Sequence, residues 1–260
     1  MFPLIPLPGG LFLPTYFTFI TIGYCIGVFW LYKRAEDNHQ SQRTAMDLAV
    51  IIMIGGFLGS RLFHVLFELP NYYVERPWDV FKVWQGGFVF YGGAIGAILP
   101  AYFLVRHREE PVYLWLNIFA PIVPLLYGIG RFATLLSGSG YGKPTDLPWG
   151  IVYPAGTEAP AGISLHPTPI YAMLWELGVL IVVLILLNKS SLFGRKIYSG
   201  FAFGSMVILH GIGRAIMEQF RNDFRGELIA GLTISTWLSF AIVAVGVVIC
   251  RNRIHPYAKD

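Results

Sequence analysis

The sequence predicts an all-α, polytopic membrane protein with seven transmembrane helices, its N-terminus periplasmic and its C-terminus cytoplasmic. Three observations carry this expectation. Of 260 residues, 55% are hydrophobic and only 13% are charged, whereas a soluble domain carries about 25% charged residues. Apolar runs of about 20 residues, the length that crosses the hydrocarbon core of a bilayer, recur along the chain. The basic residues cluster in alternate loops between those runs, as the positive-inside rule requires.

The first run covers residues 11–31. Residues 1–14 contain no Lys or Arg, unlike the basic start of a secretory signal peptide, so this run is expected to be a retained helix. The next runs are 46–69, 87–105 and 112–136. The last of these contains Pro121 and Pro124, which should distort it and free backbone groups that need protein partners. Residues 137–166 are rich in Gly, Pro, Ser and Thr and are expected to form a long periplasmic loop, with Trp149 and Tyr153 as interfacial anchors. Runs 168–187, 199–220 and 231–250 complete the set. Together they describe one integral-membrane domain over 1–260.

Loop charges set the orientation. The loops after runs one, three, five and seven hold eleven basic residues: Lys33, Arg34, Arg43, Arg106, Arg108, Lys189, Arg195, Lys196, Arg251, Arg253 and Lys259. The other loops hold five, namely Arg76, Lys82, Lys143, Arg221 and Arg225. The formal charge of +4 therefore reflects topology and not nucleic-acid binding. Cys25 and Cys250 lie inside apolar runs and form neither a metal pattern nor a disulfide framework. The halves show no internal repeat, against a transporter, and the final run lacks the Lys a retinal protein would need. Gly55 with Gly59, and Gly92 with Gly96, have the small-xxx-small spacing of close helix contacts.

Three arginines, Arg61, Arg131 and Arg214, fall inside apolar runs. A charge at mid-helix costs about 2.5–3.5 kcal/mol on insertion, so it calls for an explanation. With the orientation above, all three lie in the outer half of the bilayer; Arg61 is about 8 residues, roughly 12 Å, from its outer end. Snorkelling towards headgroups is one reading of each. A shared site is the other. Arg214, Glu218 and Arg221 recur at i, i+4 and i+7 on one helical face, with His210 one turn deeper; Arg61, His64 and Glu68 make a similar face. Structural ion pairs would also account for Glu218 and Glu68. Tyr91 begins the third run and His166 the fifth, both near the outer surface. Several planar guanidinium groups in a partly dry, lipid-accessible chamber suit a phosphate, and the nearest phosphates belong to phospholipid.

Ordered motifs then supply a resemblance. Pro14-Thr-Tyr16, Gly59-Ser-Arg61, Trp84-Gln-Gly-Gly-Phe88, Tyr91-Gly-Gly-Ala-Ile-Gly96, Gly128-Ile-Gly-Arg131, Tyr141-Gly-Lys-Pro-Thr-Asp-Leu-Pro-Trp149, His166-Pro-Thr-Pro-Ile-Tyr171 and Gly213-Arg-Ala-Ile-Met-Glu218 follow one another along the chain. In order and spacing they resemble, nearly end to end, the bacterial prolipoprotein diacylglyceryl transferases. The resemblance implies an enzyme of the bacterial inner membrane. It would transfer the diacylglyceryl group of phosphatidylglycerol to the lipobox cysteine of a preprolipoprotein, release glycerol 1-phosphate and need no cofactor or metal. It further implies catalytic roles for Arg131, Arg214, Glu218 and Tyr91; His210, one turn inside Arg214 on the same face, is read either as a neutral imidazole that accepts the thiol proton or as a histidine that only bonds a neighbouring helix. Substrate-binding roles fall to Tyr16, Arg61, Gly92, Gly93, Thr134, Gly142, His166, Tyr171 and Arg221. Departures from the family pattern occur at Ala133-Thr134, Ser139-Gly140, Ala172 and Thr236. In addition, His210 stands where many members have Tyr, and Tyr91 where many have His. A lipid-binding paralogue with altered or lost activity, or a seven-helix channel or transporter, is the alternative.

Overall fold

A computed structural model describes residues 4–192, 195–222 and 230–256. Arg225 and Lys259, both counted among the loop charges, lie outside the described residues. The chain opens with a hairpin, β1 (Leu4–Pro6) against β2 (Phe12–Pro14), turned at Gly9 and Gly10 with φ of 85° and 79°. Helix α1 (Thr15–Asp37) follows at once. The helix thus begins four residues later than the apolar run, because apolarity over a short stretch does not separate strand from helix.

Helix α2 (Gln42–Phe63) is capped by Ser41, whose hydroxyl accepts from the Thr44 N–H at 3.2 Å. It continues as a single π turn, His64–Glu68, closed by Leu69 N–H to the His64 carbonyl at 3.1 Å. A short helix α3 (Pro70–Glu75) and two 3-10 turns, Pro77–Phe81 and Val83–Gln85, lead to α4 (Phe90–His107). The fourth apolar run breaks in two, α5 (Val112–Phe119) and α6 (Ile122–Ser137). The break falls at Ala120-Pro121, where the proline has no N–H for the ladder. Pro124 is tolerated in the first turn of α6, whose N–H groups have no intrahelical partner in any case.

The loop that follows is ordered by its own contacts. Strands β3 (Ile151–Val152) and β4 (Ser164–Leu165) pair antiparallel. Tyr153, Ala159 and Leu165 form a small core backed by Tyr141 and Ile151. Tyr153 is only 1% exposed, so it is the centre of this core and not the interfacial anchor the sequence suggested; burial pushes its phenol up from the ordinary value. Beyond the loop come α7 (Thr168–Leu187), β5 (Ser191–Leu192), β6 (Arg195–Ile197), α8 (Phe201–Glu218), α9 (Ile234–Asn252) and β7 (Ile254–Pro256), with β6 paired to both β5 and β7.

The chain is mostly helical, and every predicted apolar run contains helix. Among the described residues, five helical stretches are long and apolar enough to cross a membrane: Thr15–Asp37, Gln42–Glu68, Val112–Ser137, Thr168–Leu187 and Ile234–Asn252. They make this a multi-pass membrane protein. Helices α4 and α8, 18 residues each, occupy the two remaining runs.

The contacts divide into two compact units, one of Met1–Trp30 with Tyr113–Asp260 and one of Leu31–Val112. In the smaller unit α2 and α4 meet backbone to backbone. A Cβ on Gly59 would strike the Gly92 carbonyl oxygen, and one on Gly96 would strike that of Gly55. Helices without a hydrophobic driving force between them associate through such close van der Waals contact. At the far end of the same unit, Arg108 donates to Thr44 Oγ1 at 2.8 Å and pairs with Asp47, while Thr44 donates to Glu110 at 2.6 Å. In the larger unit Ala120, Val179, Val183 and Met206 form a buried core. Gly204, Gly211 and Gly246 there let α8 and α9 approach closely.

Candidate functional site

Helix α6 carries Arg131 and α8 carries Arg214, while Arg221 stands three residues beyond the last residue of α8. The larger unit brings these three to one small cavity, whose walls also include Tyr127, Thr168 and Ala172. Arg131 lies over the ring of Tyr127, 4.6 Å from its centroid, and donates through Nη2 to the Tyr127 hydroxyl at 2.5 Å. The two residues are four apart on one helix, so the spacing alone makes them neighbours. Arg214 reaches Glu218 at 3.4 Å across the same i, i+4 interval. Glu218 is held in turn by Thr233, whose hydroxyl donates to Oε1 at 2.9 Å and which caps α9 through Thr236 N–H. A separation of 3.4 Å is longer than a tight charge-assisted bond. The Arg214 guanidinium therefore keeps capacity for a further anion.

The covering loop is fastened beside this cavity. Gly142 N–H donates to the His166 carbonyl at 3.1 Å, Lys143 N–H to the Phe220 carbonyl at 2.8 Å, and His166 N–H to the Lys143 carbonyl at 2.9 Å. A Cβ on Gly142 would lie 2.5 Å from the His166 oxygen and 2.9 Å from that of Phe220. Gly142 is not among the residues of positive φ, so close approach of three segments, and not an unusual backbone angle, is what requires glycine here. Thr168 donates to the Gly140 carbonyl at 2.6 Å. Trp149 donates its indole N–H to the Tyr171 hydroxyl at 2.8 Å, and that hydroxyl lies 3.2 Å from His166 Nδ1. Thr134 spends its hydroxyl on the Arg131 carbonyl at 2.8 Å. Tyr16, in the first turn of α1, is 38% exposed and meets Phe17 edge to face.

Apart from His210, the remaining sequence candidates belong to the smaller unit. Arg61 is 6% exposed. It donates to the carbonyls of Val80 at 3.1 Å, Asp79 at 2.8 Å, Gly86 at 2.5 Å and Gly87 at 3.2 Å, so its fork holds the segment between α3 and α4. Hydrogen bonds from Lys82 and then Tyr72 keep the Asp79 carboxyl below the usual carboxylate range. His64 Nδ1 bonds Glu68 within the π turn at 2.5 Å. Tyr91 is 40% exposed, edge to face with Phe90. Gly92 lies against Gly59 and Phe63, and Gly93 over Gly56 and Ser60, where a Cβ would be tight.

Among the residues at the larger unit's site that are absent from the sequence expectations, two stand out. One is Tyr127, described above. The other is Glu176, in the middle of α7 and 2% exposed, whose Oε1 lies 2.7 Å from His210 Nδ1. His210 meets the Tyr127 ring edge to face, with centroids 4.8 Å apart. A signal was present: Glu176 is the charged residue among the twenty of α7, and an ionisable group inside an apolar span marks a functional candidate as much as an arginine does.

Comparison with known proteins adds independent findings. Residues 4–251 match the family model described as prolipoprotein diacylglyceryl transferase. The phosphatidylglycerol–prolipoprotein diacylglyceryl transferase of Geobacter sulfurreducens is 31% identical over 240 residues, covering 89% of each chain. The protein of that name from Clostridium tetani is 31% identical over 238 residues, covering 92% of each. That from Nitrosomonas europaea is 33% identical over 218 residues, covering 82% of this chain and 75% of its own.

Proposed function

The chain belongs to the prolipoprotein diacylglyceryl transferase family, and from that premise we propose its reaction and the residues that serve it. It is a multi-pass membrane transferase that moves the diacylglyceryl group of phosphatidylglycerol to the lipobox cysteine of preprolipoproteins and releases glycerol 1-phosphate. The observation that carries the site assignment is the convergence of Arg131, Arg214 and Arg221 on one cavity, where Arg214 pairs with Glu218.

The chemistry follows from those groups. The lipobox thiol must lose its proton to become the nucleophile. Its sulfur attacks the glyceryl carbon that bears the phosphate, the carbon–oxygen bond breaks, and charge builds on the departing phosphate. Arg131 and Arg214 are aimed at that charge; removal of one such donor costs about 10²–10³ in rate in other enzymes. Glu218 orients Arg214, and Arg221 adds charge to the cavity wall. His210 takes the thiol proton, and Tyr91 supplies a hydrogen-bond donor. Tyr16, Thr134, Gly142, His166 and Tyr171 form the substrate-facing surround. Arg61 acts through the segment it holds, since its donors are engaged by carbonyls. Gly92 and Gly93 act by letting α4 lie against α2.

In this reading α4 and α8 complete seven spans, the N-terminus is periplasmic and the C-terminus cytoplasmic. The cavity then lies in the outer half of the bacterial inner membrane, beside the phospholipid headgroups. Complementation tests the whole reading. A transferase-depleted bacterium should grow and process its lipoproteins when supplied with the wild-type chain, but not with Arg131→Ala or Arg214→Ala made to equal levels. Failure of the wild-type chain, inserted at normal abundance, would point instead to a lipid-binding paralogue.

A further inference from the structure

A carboxylate buried in a membrane helix needs a reason. Glu176 has a 3% exposed side chain and, among the described residues, makes one hydrogen bond, between its Oε1 and Nδ1 of His210 at 2.7 Å. Its Oε2 is buried and has no hydrogen-bond partner among the described residues. Packing does not account for this group, because an apolar residue of the same shape would fill the space without the cost of removing a carboxylate from water. The partner is equally specific. When the Glu176 carboxyl is ionised it only accepts, so that Nδ1 of His210 donates and Nε2 is the nitrogen left to accept a proton.

We propose that Glu176 is the positioning residue for His210, fixing its tautomer and ring so that Nε2 takes the proton of the incoming lipobox thiol. This rests on the transferase reading above and adds to it the group that makes His210 a directed base. An imidazole whose other nitrogen is held by a carboxylate is the arrangement that orients histidine bases in hydrolytic triads. The surroundings suit the task. His210 keeps a 20% exposed side chain, and its ring neighbour Tyr127 lines the cavity and accepts from Arg131. Among the described residues Tyr127 is the titratable group whose ring meets His210; Arg131 lies on Tyr127, and Arg214 follows His210 by one turn of α8.

The step balances. The thiol S–H bond breaks and its proton goes to Nε2, giving an imidazolium whose Nδ1–H stays on the Glu176 carboxylate. The sulfur electron pair forms the new C–S bond, and the pair of the breaking C–O bond leaves on the phosphate. The imidazolium afterwards returns its proton to the released glycerol phosphate or to water. Glu176 stabilises the imidazolium by charge and holds it by its hydrogen bond throughout.

Two measurements on the full chain in nanodiscs test this. The first is kinetic: wild type, Glu176→Leu, His210→Phe and the double variant are compared for transfer from phosphatidylglycerol to a lipobox peptide. Glu176→Leu should lower kcat about 100-fold, within the 10²–10⁴ range of general-base catalysis, with KM for phosphatidylglycerol changed less than about threefold. It should cost almost nothing further in the His210→Phe background. Equal losses in both backgrounds, or a rise in KM alone, would overturn the proposal. The second measurement needs no turnover. Nitrogen-15 NMR of histidine-labelled protein, with the His210 signals among the six histidines identified by their loss in His210→Phe, should show a protonated Nδ1 and an unprotonated Nε2 in wild type. Glu176→Leu should mix the tautomers. A wild-type protein that transfers nothing but shows the fixed tautomer would sink the transferase reading and leave the positioning role standing. A mixed tautomer in an active wild type would do the reverse.

Discussion

At the residue scale the central claim is that Arg131 and Arg214 grip a phosphate. Arg131→Ala and Arg214→Ala should each reduce transfer from phosphatidylglycerol by at least about 100-fold, while the protein still inserts and its α-helical circular dichroism is unchanged. Lys at either position should recover only part of the rate, because a point charge replaces the planar fork; full activity of the Lys variants would mean that charge alone matters. Gly142 makes a different claim. Its Cβ would meet two carbonyl oxygens, so Gly142→Val should release the loop from His166 and Phe220. Peptide use should then fall more than phospholipid binding, read as separate KM and binding measurements; equal losses would show the loop serving the fold alone. The arginines were legible from sequence because a guanidinium in an apolar run is costly and therefore conspicuous. Tyr127 was not, since a tyrosine in a membrane helix attracts no notice until Arg131 is seen lying on its ring. Gly142 was expected only through the resemblance, because a sequence does not reveal which distant carbonyls will approach a backbone.

At the element scale the pairing of α2 with α4 depends on four glycines. Replacing Gly59 or Gly96 with Leu places a side chain against a partner backbone, which has no rotamer to escape into. Folded yield in mild detergent should collapse, whereas Gly178→Leu, where a Cβ meets nothing within 4 Å, should be tolerated. Survival of the Gly59 and Gly96 variants would remove the backbone contact as the cause of pairing. The GxxxG spacing announced this contact because the same four-residue period governs both helices. The segment between α3 and α4 was not legible, because it is held by backbone carbonyls on Arg61 and these carry no residue identity. Its Asp79 clasp has a pH signature. The folded carboxyl titrates below its unfolded value, so its stabilisation is present above the unfolded value near 4 and is lost as pH falls through the folded one. Hydrogen exchange across residues 77–87 should therefore quicken below about pH 4, and Asp79→Asn should reproduce the fast state at neutral pH. An acid response identical in wild type and Asp79→Asn would assign it to some other group.

At the scale of the whole molecule, hydropathy located helix in every run, since insertion into a bilayer demands length and apolarity before anything else. It missed what apolarity does not encode: the starting hairpin, the π turn and the break at Pro121 in its exact form of two helices. Orientation rests on the loop charges. Reporter fusions within residues 106–110 should read cytoplasmic and fusions within residues 145–158 periplasmic; the inverted pattern would move the arginine cavity to the other leaflet and away from the proposed lipoprotein substrate. The most direct test of the phosphate-gripping transferase is made in one vessel. Purified protein in proteoliposomes of defined lipid is given a lipobox peptide, and the peptide is weighed by mass spectrometry while glycerol 1-phosphate is assayed in the same sample. With phosphatidylglycerol present, the peptide should gain one diacylglyceryl thioether for each glycerol 1-phosphate released, and Arg131→Ala should abolish both. Peptide modification undiminished in Arg131→Ala, or no modification by a wild-type protein that is folded and inserted, would contradict it.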